Sequence, residues 1–335
     1  ATYIYSLFSR LEALEVVTLG SGFLRIEGGA FVHNPLLREL NLPEDLLFIH
    51  RNAFNNDSPV ITKENGHYYL QVNGNDYYVY LMSDPNQTVT ELNGATKIIA
   101  RNAFAYSKNV SENIILPEGL VSIGDYAFAY TEISSIIFPE TLTIIGSSAF
   151  YACRNLTEVR IPKSITEINE NTFLNCSSLT DFYIHENIKS FGVYAIDTDI
   201  NQVILDAGVY YLGTENNPYF IAIQVEDEES SEITLNDNCV VLSDYLFSNM
   251  QNLTNIIFSD SIKYLGKYLF TYCYYLEEIS LSKNVVLTEP TLASSYINEI
   301  YYAGTKAEWN AMYNYTGWYN FNKTVYCSDG NIELD

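Results

Sequence analysis

Hydrophobic positions recur along this chain in one frame, which is clearest in residues 156–176. That stretch opens with Leu-x-x-Val-x-Ile-Pro, continues with Ile-x-x-Ile, and closes on Phe173 and Cys176. Most steps between successive aromatic positions are 22 to 24 residues, and two are about double. A fixed period of this size is typical of a solenoid, in which each repeat stacks on the next. The aromatic positions are Phe31, Phe54, Phe104, Phe128, Phe150, Phe173, Phe247 and Phe270, with Ile196 in one place.

Within one repeat, or rung, the pattern predicts a fixed order of elements. Alternating apolar residues at the opening predict a short strand with one buried face, and a second apolar pair predicts another strand. Glycine ends this second segment at Gly124, Gly146, Gly192 and Gly266, which suggests a bend with positive φ. The following Ala-Phe is expected on a short helical turn. We count about twelve rungs, one of them opening at Ile200, Val203 and Leu205.

Two segments interrupt the period, and a third follows it. Residues 57–88 contain two strand-like runs around Asn73-Gly74, which predicts a hairpin, and residues 216–231 form a second expected insertion. Residues 1–303 are therefore interpreted as the solenoid and residues 304–335 as a capping segment. We expect a short capped helix near the start of this cap, with Trp309 and Trp318 covering the last rung.

The balance of charge excludes some classes of partner. With 17 basic and 41 acidic residues the chain has a net charge of −24. Nucleic acids and anionic membrane surfaces are recognised by Lys and Arg, so neither is an expected partner. No apolar run is long enough to span a membrane, and we expect no membrane insertion. Acidity of this kind also serves simply to keep a protein soluble and monomeric.

No arrangement of residues points to catalysis, a metal or a cofactor. The four histidines are scattered, and His50 and His185, which occupy turn positions of the repeat, are expected to face solvent. No His-Glu-x-x-His, Walker glycine loop or Gly-x-Ser-x-Gly element occurs. The acidic run 226–229 lacks the spacing of a calcium loop and fits a solvated hairpin tip better. Cys153, Cys176 and Cys273 follow the repeat aromatic by three residues and are interpreted as packing residues.

The outward face of the opening strands is the candidate binding surface. In that strand, residues aligned with Val159 and Ile161 point inward, so those aligned with Arg160 point outward. Half of the Arg160 column is apolar or aromatic, and an exposed apolar stripe can mark an interaction surface. The alternative is that such side chains simply make good cross-strand pairs. The candidate residues are Ile115, Ile137, Arg160, Tyr183, Ile204, Ile257 and Tyr301.

The frame Leu-x-x-Ile-x-Ile-Pro-x-x-Ile-x-x-Ile-Gly-x-x-Ala-Phe-x-x-Cys resembles the BspA-like, treponemal-type leucine-rich repeats of bacterial surface proteins. Its clearest copies are residues 133–153, 156–176 and 253–273. The resemblance implies an α/β-type solenoid, a right-handed leucine-rich-repeat superhelix of short parallel strands with short helical turns. It also implies a secreted or cell-surface location, and often adhesion to a host or matrix protein or to a glycan.

Two functional hypotheses follow. The first is a non-enzymatic surface or secreted module that presents its ladder face to a protein or glycan. The second is the repeat scaffold of a larger surface polypeptide that carries a separate catalytic or anchoring domain. A hydrolase would require carboxylates from different rungs to converge, and no pattern in the sequence indicates it. The sequence shows no leader, so an exported protein would have one outside this chain.

Overall fold

A computed structural model describes residues 2–43, 45–286, 291–292, 295–312 and 323–334. It confirms a leucine-rich-repeat β-solenoid, with about 13 turns and very little helix. Its residues form two compact units. The first comprises residues 1–165, 169–182 and 195–197, and the second comprises residues 166–168, 183–194 and 198–335. These units do not coincide with the predicted boundary at residue 303, which stays a prediction.

Short strands make up nearly all of the regular structure. Apart from a 3-10 turn at Ser6–Phe8, the described residues contain one helix, α1 (Lys306–Met312). The strands are β1 (Thr2–Ile4), β2 (Val16–Thr18), β3 (Phe23–Ile26), β4 (Glu39–Asn41), β5 (Phe48–Ile49), β6 (Ile61–Glu64), β7 (His67–Val72), β8 (Asn75–Ser83), β9 (Val89–Glu91), β10 (Ile98–Ile99), β11 (Val110–Ile115), β12 (Ser122–Ile123), β13 (Ile144–Ile145), β14 (Glu158–Arg160), β15 (Glu167–Ile168), β16 (Asp181–Tyr183), β17 (Ser190–Phe191), β18 (Val203–Asp206), β19 (Val209–Leu212), β20 (Ile221–Val225), β21 (Glu232–Thr234), β22 (Val241–Leu242), β23 (Asn255–Ile257), β24 (Glu278–Leu281), β25 (Glu299–Tyr302), β26 (Lys323–Cys327) and β27 (Gly330–Leu334).

Opening strands and second strands form separate parallel ladders. In the first unit, β2 pairs with β4 and β9 with β11, while β8, β10, β12 and β13 form the ladder of second strands. In the second unit, β21 pairs with β23 and β24 with β25 in the opening ladder. The predicted order of strand, turn and second strand is observed in rungs such as β2–β3, β14–β15 and β21–β22.

The repeat aromatics of the first unit form stacked series in the core. Phe128 lies 5.1 Å from Phe150 and Phe150 lies 5.1 Å from Phe173 between ring centroids, with interplanar angles of 5° and 4°. All three rings are fully buried. The prediction that these aromatics are successive steps of one core is confirmed. Tyr80 also stacks on Phe104 at 4.7 Å, so the first insertion supplies a ring of its own.

The bend of each rung differs from the prediction in two ways. The bend glycines Gly124, Gly146 and Gly266 do not have positive φ. Positive φ falls instead on non-glycine residues two and six positions later, for example Tyr126 at 55° and Tyr130 at 60°. These residues interrupt any helix, so the Ala-Phe segment is a pair of hydrogen-bonded turns rather than the predicted helical turn.

These turns add a backbone ladder on the bend side of the first unit. The amides of Tyr126, Phe128 and Tyr130 donate to the carbonyls of Ser147, Ala149 and Tyr151 in the next rung, at 3.1, 2.8 and 2.8 Å. A regular α-helix would direct these amides into the helix itself. Left-handed residues therefore allow each bend to pair with its neighbour.

Both insertions are integrated into the ladders. The first is the antiparallel hairpin pair β6–β7–β8, whose turns at Asn65-Gly66 and Asn73-Gly74 have the positive φ of type I′ turns. Its last strand, β8, then pairs in parallel with β10. The hairpin predicted at Asn73-Gly74 is confirmed.

The second insertion begins earlier than predicted. Strands β18 and β19 form an antiparallel hairpin around Ala207-Gly208, and β20 pairs with β19 and then in parallel with β22. The rung opening predicted at Val203 and Leu205 is therefore wrong, and Leu205 is exposed. The acidic run 226–229 follows β20 as an exposed loop rather than a hairpin tip.

The C-terminal segment continues the ladder before it ends. The predicted short helix is confirmed as α1, with Thr305 and Glu308 forming a reciprocal cap. Trp309 is fully buried against Tyr302, whereas Trp318 lies outside the described residues. Strand β26 adds in parallel to β25, and the antiparallel strand β27 then completes this sheet.

Candidate functional site

The most exposed apolar residue of the predicted column is Ile137 in the first unit. Its side chain is 82% exposed, and that of Ile115 one rung earlier is 62% exposed. Around Ile137 the opening ladder is reduced to one bridge, Asn113 to Ser135, within the residues described for this rung. Cross-strand packing therefore does not bury the side chains of Ile115 and Ile137. This weakens the alternative explanation, that the apolar residues of the Arg160 column serve only as cross-strand pairs.

Shallow grooves lie on both sides of Ile137. One, of about 410 Å³, is bordered by Ile115 and Ile137, and the other, of about 480 Å³, by Ile137 and Arg160. Arg160 pairs with Glu158 of its own strand at 2.5 Å. The first unit thus brings together three predicted residues in a surface that is apolar at its centre and charged at one end.

The remaining predicted residues belong to the second unit and have different environments. Tyr183 is half-buried at the end of β16. Ile257 and Tyr301 are 48% and 41% exposed on the parallel opening strands. Ile204 departs from the prediction, because β18 runs antiparallel to β19 and pairs Ile204 with Tyr211. The alignment of its rung relied on Val203 and Leu205, which do not form a rung opening.

The last strands of the second unit carry a second exposed surface. Tyr301 and Tyr326 stack at 4.8 Å with an interplanar angle of 12°. The phenol of Tyr301 donates to Glu299 Oε2 at 2.7 Å, and that of Tyr326 donates to Glu299 Oε1 at 3.4 Å. Hydrogen bonding to this carboxylate raises the pKa of Tyr301 to about 12. Tyr326 was not predicted, because its rung lies beyond the point where the sequence period stops.

The sequence pattern also did not identify the tyrosines on the bends as candidate site residues. Tyr106 and Tyr130 stack at 4.4 Å in the first unit, and Tyr245 and Tyr268 stack at 5.1 Å in the second. All four residues have positive φ, which is rare for aromatic residues. Their spacing of 22 to 24 residues was visible in the sequence, but the opening strands and not the bends were interpreted as the binding face.

Several basic residues form specific contacts inside the fold. In the first unit Arg25 pairs with Asp125 at 3.0 Å, and Arg101 pairs with Glu27 at 3.4 Å. Burial first, and then the charge of Arg101, lower the pKa of His50 in this group. His185, expected to face solvent, is buried and accepts a hydrogen bond from the amide of Asn187. The two ion pairs join different rungs, whereas the contact of His185 lies within its own turn.

The cysteine column has the packing role predicted for it. Cys153, Cys176 and Cys273 are buried, and each thiol donates to the carbonyl of the repeat Phe one rung earlier, at 3.1, 3.2 and 3.0 Å. Burial raises the pKa of the Cys273 thiol to about 12. Among the described residues, no group of His, Cys, Asp or Glu has the arrangement of a metal site. No helix in the described ranges is long and apolar enough to cross a bilayer.

Comparison with known proteins agrees with this architecture. The model of the BspA type leucine rich repeat region matches in six copies, over residues 2–63, 97–216 and 226–315. A leucine-rich repeat protein from Bacteroides ovatus is 20% identical, with 87% of this chain and 78% of that chain covered and a TM-score of 0.35. A leucine rich cell surface protein from Faecalibacterium prausnitzii is 16% identical, with 91% and 83% covered and a TM-score of 0.27.

A third solved structure, the leucine-rich repeat protein of T. pallidum, is 20% identical over 50% of this chain and 69% of that chain, with a TM-score of 0.27. No curated protein matches the chain. The repeat model covers well over half of the residues, and the frame of apolar positions, the buried aromatic stack and the parallel ladders all agree with it. The chain belongs to the BspA-type leucine-rich repeat family, whose repeats form scaffolds suited to protein interaction.

Proposed function

We propose that this chain is a non-enzymatic binding module of a secreted or cell-surface protein, and that it presents the outward face of its opening strands to a protein or glycan partner. The observation that carries the proposal is the exposure of Ile115 and Ile137 beside two grooves. Large aliphatic side chains left in water are stabilised when a partner covers them, at roughly 25 cal/mol per Å² of apolar surface.

The surroundings of Ile137 favour a partner that is partly polar. Glu158 and Arg160 lie at one end of the surface, and Glu118 and Glu140 border the grooves. An apolar centre with a polar rim is the usual composition of a protein-interaction patch. The second unit presents candidate residues of its own, Tyr183, Ile257 and Tyr301, whereas the position of Ile204 on an antiparallel hairpin makes it a weaker candidate.

A cell-surface location is part of the same proposal. The family assignment supports this location, and a leucine rich cell surface protein of F. prausnitzii is among the solved structures similar to this chain. The cysteines are free thiols rather than disulfides, four of them buried and Cys327 half-buried, so the fold does not depend on an oxidising compartment. A secreted location is thus compatible with all five cysteines of the chain.

The proposal is tested with an array of immobilised extracellular-matrix proteins and glycans. The chain is compared with the Ile115→Lys/Ile137→Lys variant and with Leu7→Lys, a control at an apolar residue that is 75% exposed outside the ladder. We expect the double variant to lose binding by about tenfold or more, since truncated or charged hot-spot residues cost at least 1–2 kcal/mol. Equal binding by all three proteins would exclude this face, and absence of any binding would argue against a binding module.

A further inference from the structure

We propose that the groove beside Tyr301 in the second unit binds an arginine side chain from an extended, cationic segment of a partner protein. The proposal rests on the binding function given above and names the partner chemistry for one site. It is carried by the geometry of β24–β27, where stacked tyrosines lie between a groove on one side and a column of carboxylates on the other.

Strand register places two kinds of side chain in adjacent columns on this face. One column contains Ser280, Tyr301, Tyr326 and Asn331, and the other contains Glu278, Glu299, Thr324 and Glu333. Each tyrosine therefore lies beside the acidic column, two residues from it along its own strand. Both phenols donate to Glu299, which holds this carboxylate next to the two rings.

One face of the Tyr301 ring is available to a ligand. Tyr326 covers the other face at 4.8 Å, while the neighbour on the opposite strand in the same column is the small residue Ser280. A groove of about 500 Å³ runs along Tyr301 and is also bordered by Ser280, Ser282 and Tyr326, with Asp260 at one side. Glu278 and Glu299 do not line it and lie on the other side of the tyrosine column. The groove can accept a flat group that stacks on the tyrosine.

The charges of this surface favour a cation. Glu278 and Glu299 are directly opposite each other on adjacent parallel strands, an arrangement of like charges that destabilises a sheet. Among the described residues, no Lys or Arg lies within ion-pair distance of Glu278, Glu299 or Glu333. A positively charged ligand would relieve this repulsion, and the net charge of −24 would attract such a ligand from solution.

Arginine fits these features better than lysine. Its guanidinium is planar, stacks on aromatic faces and donates to a carboxylate through two parallel N–H groups. Stacking on Tyr301 would bring these N–H groups toward Glu299 and Glu278. A neutral glycan could also stack on the ring, but it would leave the repulsion between the two carboxylates unchanged, so the observations favour the cationic peptide.

The test measures fluorescence anisotropy of a labelled Ser-Gly-Arg-Gly-Arg-Gly-Ser peptide with the full chain in about 0.15 M salt, where the Debye length of about 8 Å limits long-range attraction. Peptides with lysine or the neutral analogue citrulline in place of arginine are compared. We expect the citrulline peptide to lose binding, and the lysine peptide to bind about threefold more weakly, because it lacks the planar stacking group.

Variants of the chain assign the binding to this groove. We expect Tyr301→Leu to weaken the arginine peptide about three- to fivefold, and Glu278→Gln/Glu299→Gln about five- to tenfold. The matched controls are Tyr106→Leu, at another exposed stacked tyrosine, and Glu132→Gln/Glu170→Gln, which changes net charge equally. Thermal melting of each variant verifies that it is folded.

Several results would overturn the inference. Equal loss in the Glu132→Gln/Glu170→Gln control would show general attraction to an acidic protein. Equal binding of the citrulline peptide would show that the groove does not require a positive charge. Unchanged affinity in a folded Tyr301→Leu variant would exclude stacking. If these results occurred while Ile115→Lys/Ile137→Lys still lost array binding, the arginine site alone would be wrong and the proposed function would stand.

Discussion

At Gly146 an added β carbon would lie 2.5 Å from the backbone nitrogen of Asp125 in the preceding rung. Gly124 and Gly266 have the same close backbone approach to the rung before them. Glycine is required at these bends because adjacent rungs touch there, not because φ is positive. The sequence identified the column correctly, but it could not separate these two reasons, since glycine satisfies both.

We predict that Gly146→Ala lowers the free energy of unfolding by about 1–3 kcal/mol, as expected for forced overpacking against backbone atoms. The measurement is the shift of the denaturation midpoint in urea. Gly94→Ala is the control, because its β carbon would meet nothing within 4 Å. Equal midpoints for the two variants would contradict the close-approach explanation.

Ala152 is the reverse of the bend glycines, because it is a non-glycine residue with a positive φ of 56°. Its side chain is buried. A left-handed conformation costs an L-residue about 1–2 kcal/mol, and glycine avoids this cost. We predict that Ala152→Gly changes stability by less than about 1 kcal/mol, because relief of strain offsets the lost methyl group. Ala149→Gly, at a buried residue without positive φ, should destabilise by about 1–2 kcal/mol. Urea midpoints of the two variants check this difference, and equal losses would refute it.

The inserted hairpin shows what the sequence predicts about an element. Asn73-Gly74 correctly predicted the turn between β7 and β8, because few other residue pairs adopt positive φ twice. The sequence did not predict that the side chain of Asn73 would also contact the rung that contains β4. This side chain accepts a hydrogen bond from the amide of Leu42 at 3.0 Å and donates one to the carbonyl of Leu42 at 2.9 Å. The side-chain amide thus takes the place of a backbone partner strand for Leu42.

We predict that Asn73→Asp destabilises the chain by about 1–3 kcal/mol, because a carboxylate cannot donate to the Leu42 carbonyl and leaves it without this partner. The measurement is again a urea midpoint. Asn55→Asp is the matched control, since Asn55 only accepts from the amide of His33 through its side-chain oxygen, a role that aspartate keeps. Equal effects would show that the amide pair with Leu42 contributes little.

The second insertion shows why element boundaries were harder to predict. Val203 and Leu205 match the apolar spacing of a rung opening, yet they pair with the next strand across Ala207-Gly208. Alternation is the same in a parallel ladder and in an antiparallel hairpin, so the pattern alone could not distinguish them. This error also removed Ile204 from the predicted binding column, whereas the side chains of Ile115, Ile137 and Ile257 are exposed.

At the scale of the whole molecule, the end of the array depends on a buried charge that the sequence period did not reveal. Lys323 begins β26 and is 5% exposed. Its Nζ donates to the carbonyl and hydroxyl oxygens of Ser295 and to the carbonyl of Ile297. None of these partners is a carboxylate that would compensate for the desolvation of the Lys323 ammonium group. Burial therefore lowers the pKa of Lys323 to about 8. The sequence period ends at Tyr302, so this residue had no column from which burial could be predicted.

The lowered pKa predicts how stability depends on pH. Between about pH 8 and the unfolded pKa of about 10.4, the unfolded chain holds a proton that the folded chain has lost. Deprotonation therefore favours the folded state, and stability should rise across this window by up to about 3 kcal/mol. Above about pH 10 this rise is opposed, because burial raises the pKa of Tyr80 and Tyr211 and their ionisation favours the unfolded chain.

Comparison with Lys323→Met isolates this contribution from the other titrating groups of an acidic molecule. We expect the difference in unfolding free energy between the original chain and the variant to change with pH between about 8 and 10.4, and to be constant between about pH 6 and 7. The original chain should gain stability relative to the variant as pH rises. A difference that is independent of pH would show that Lys323 reaches water in the folded chain, and that its hydrogen bonds to Ser295 and Ile297 are not maintained.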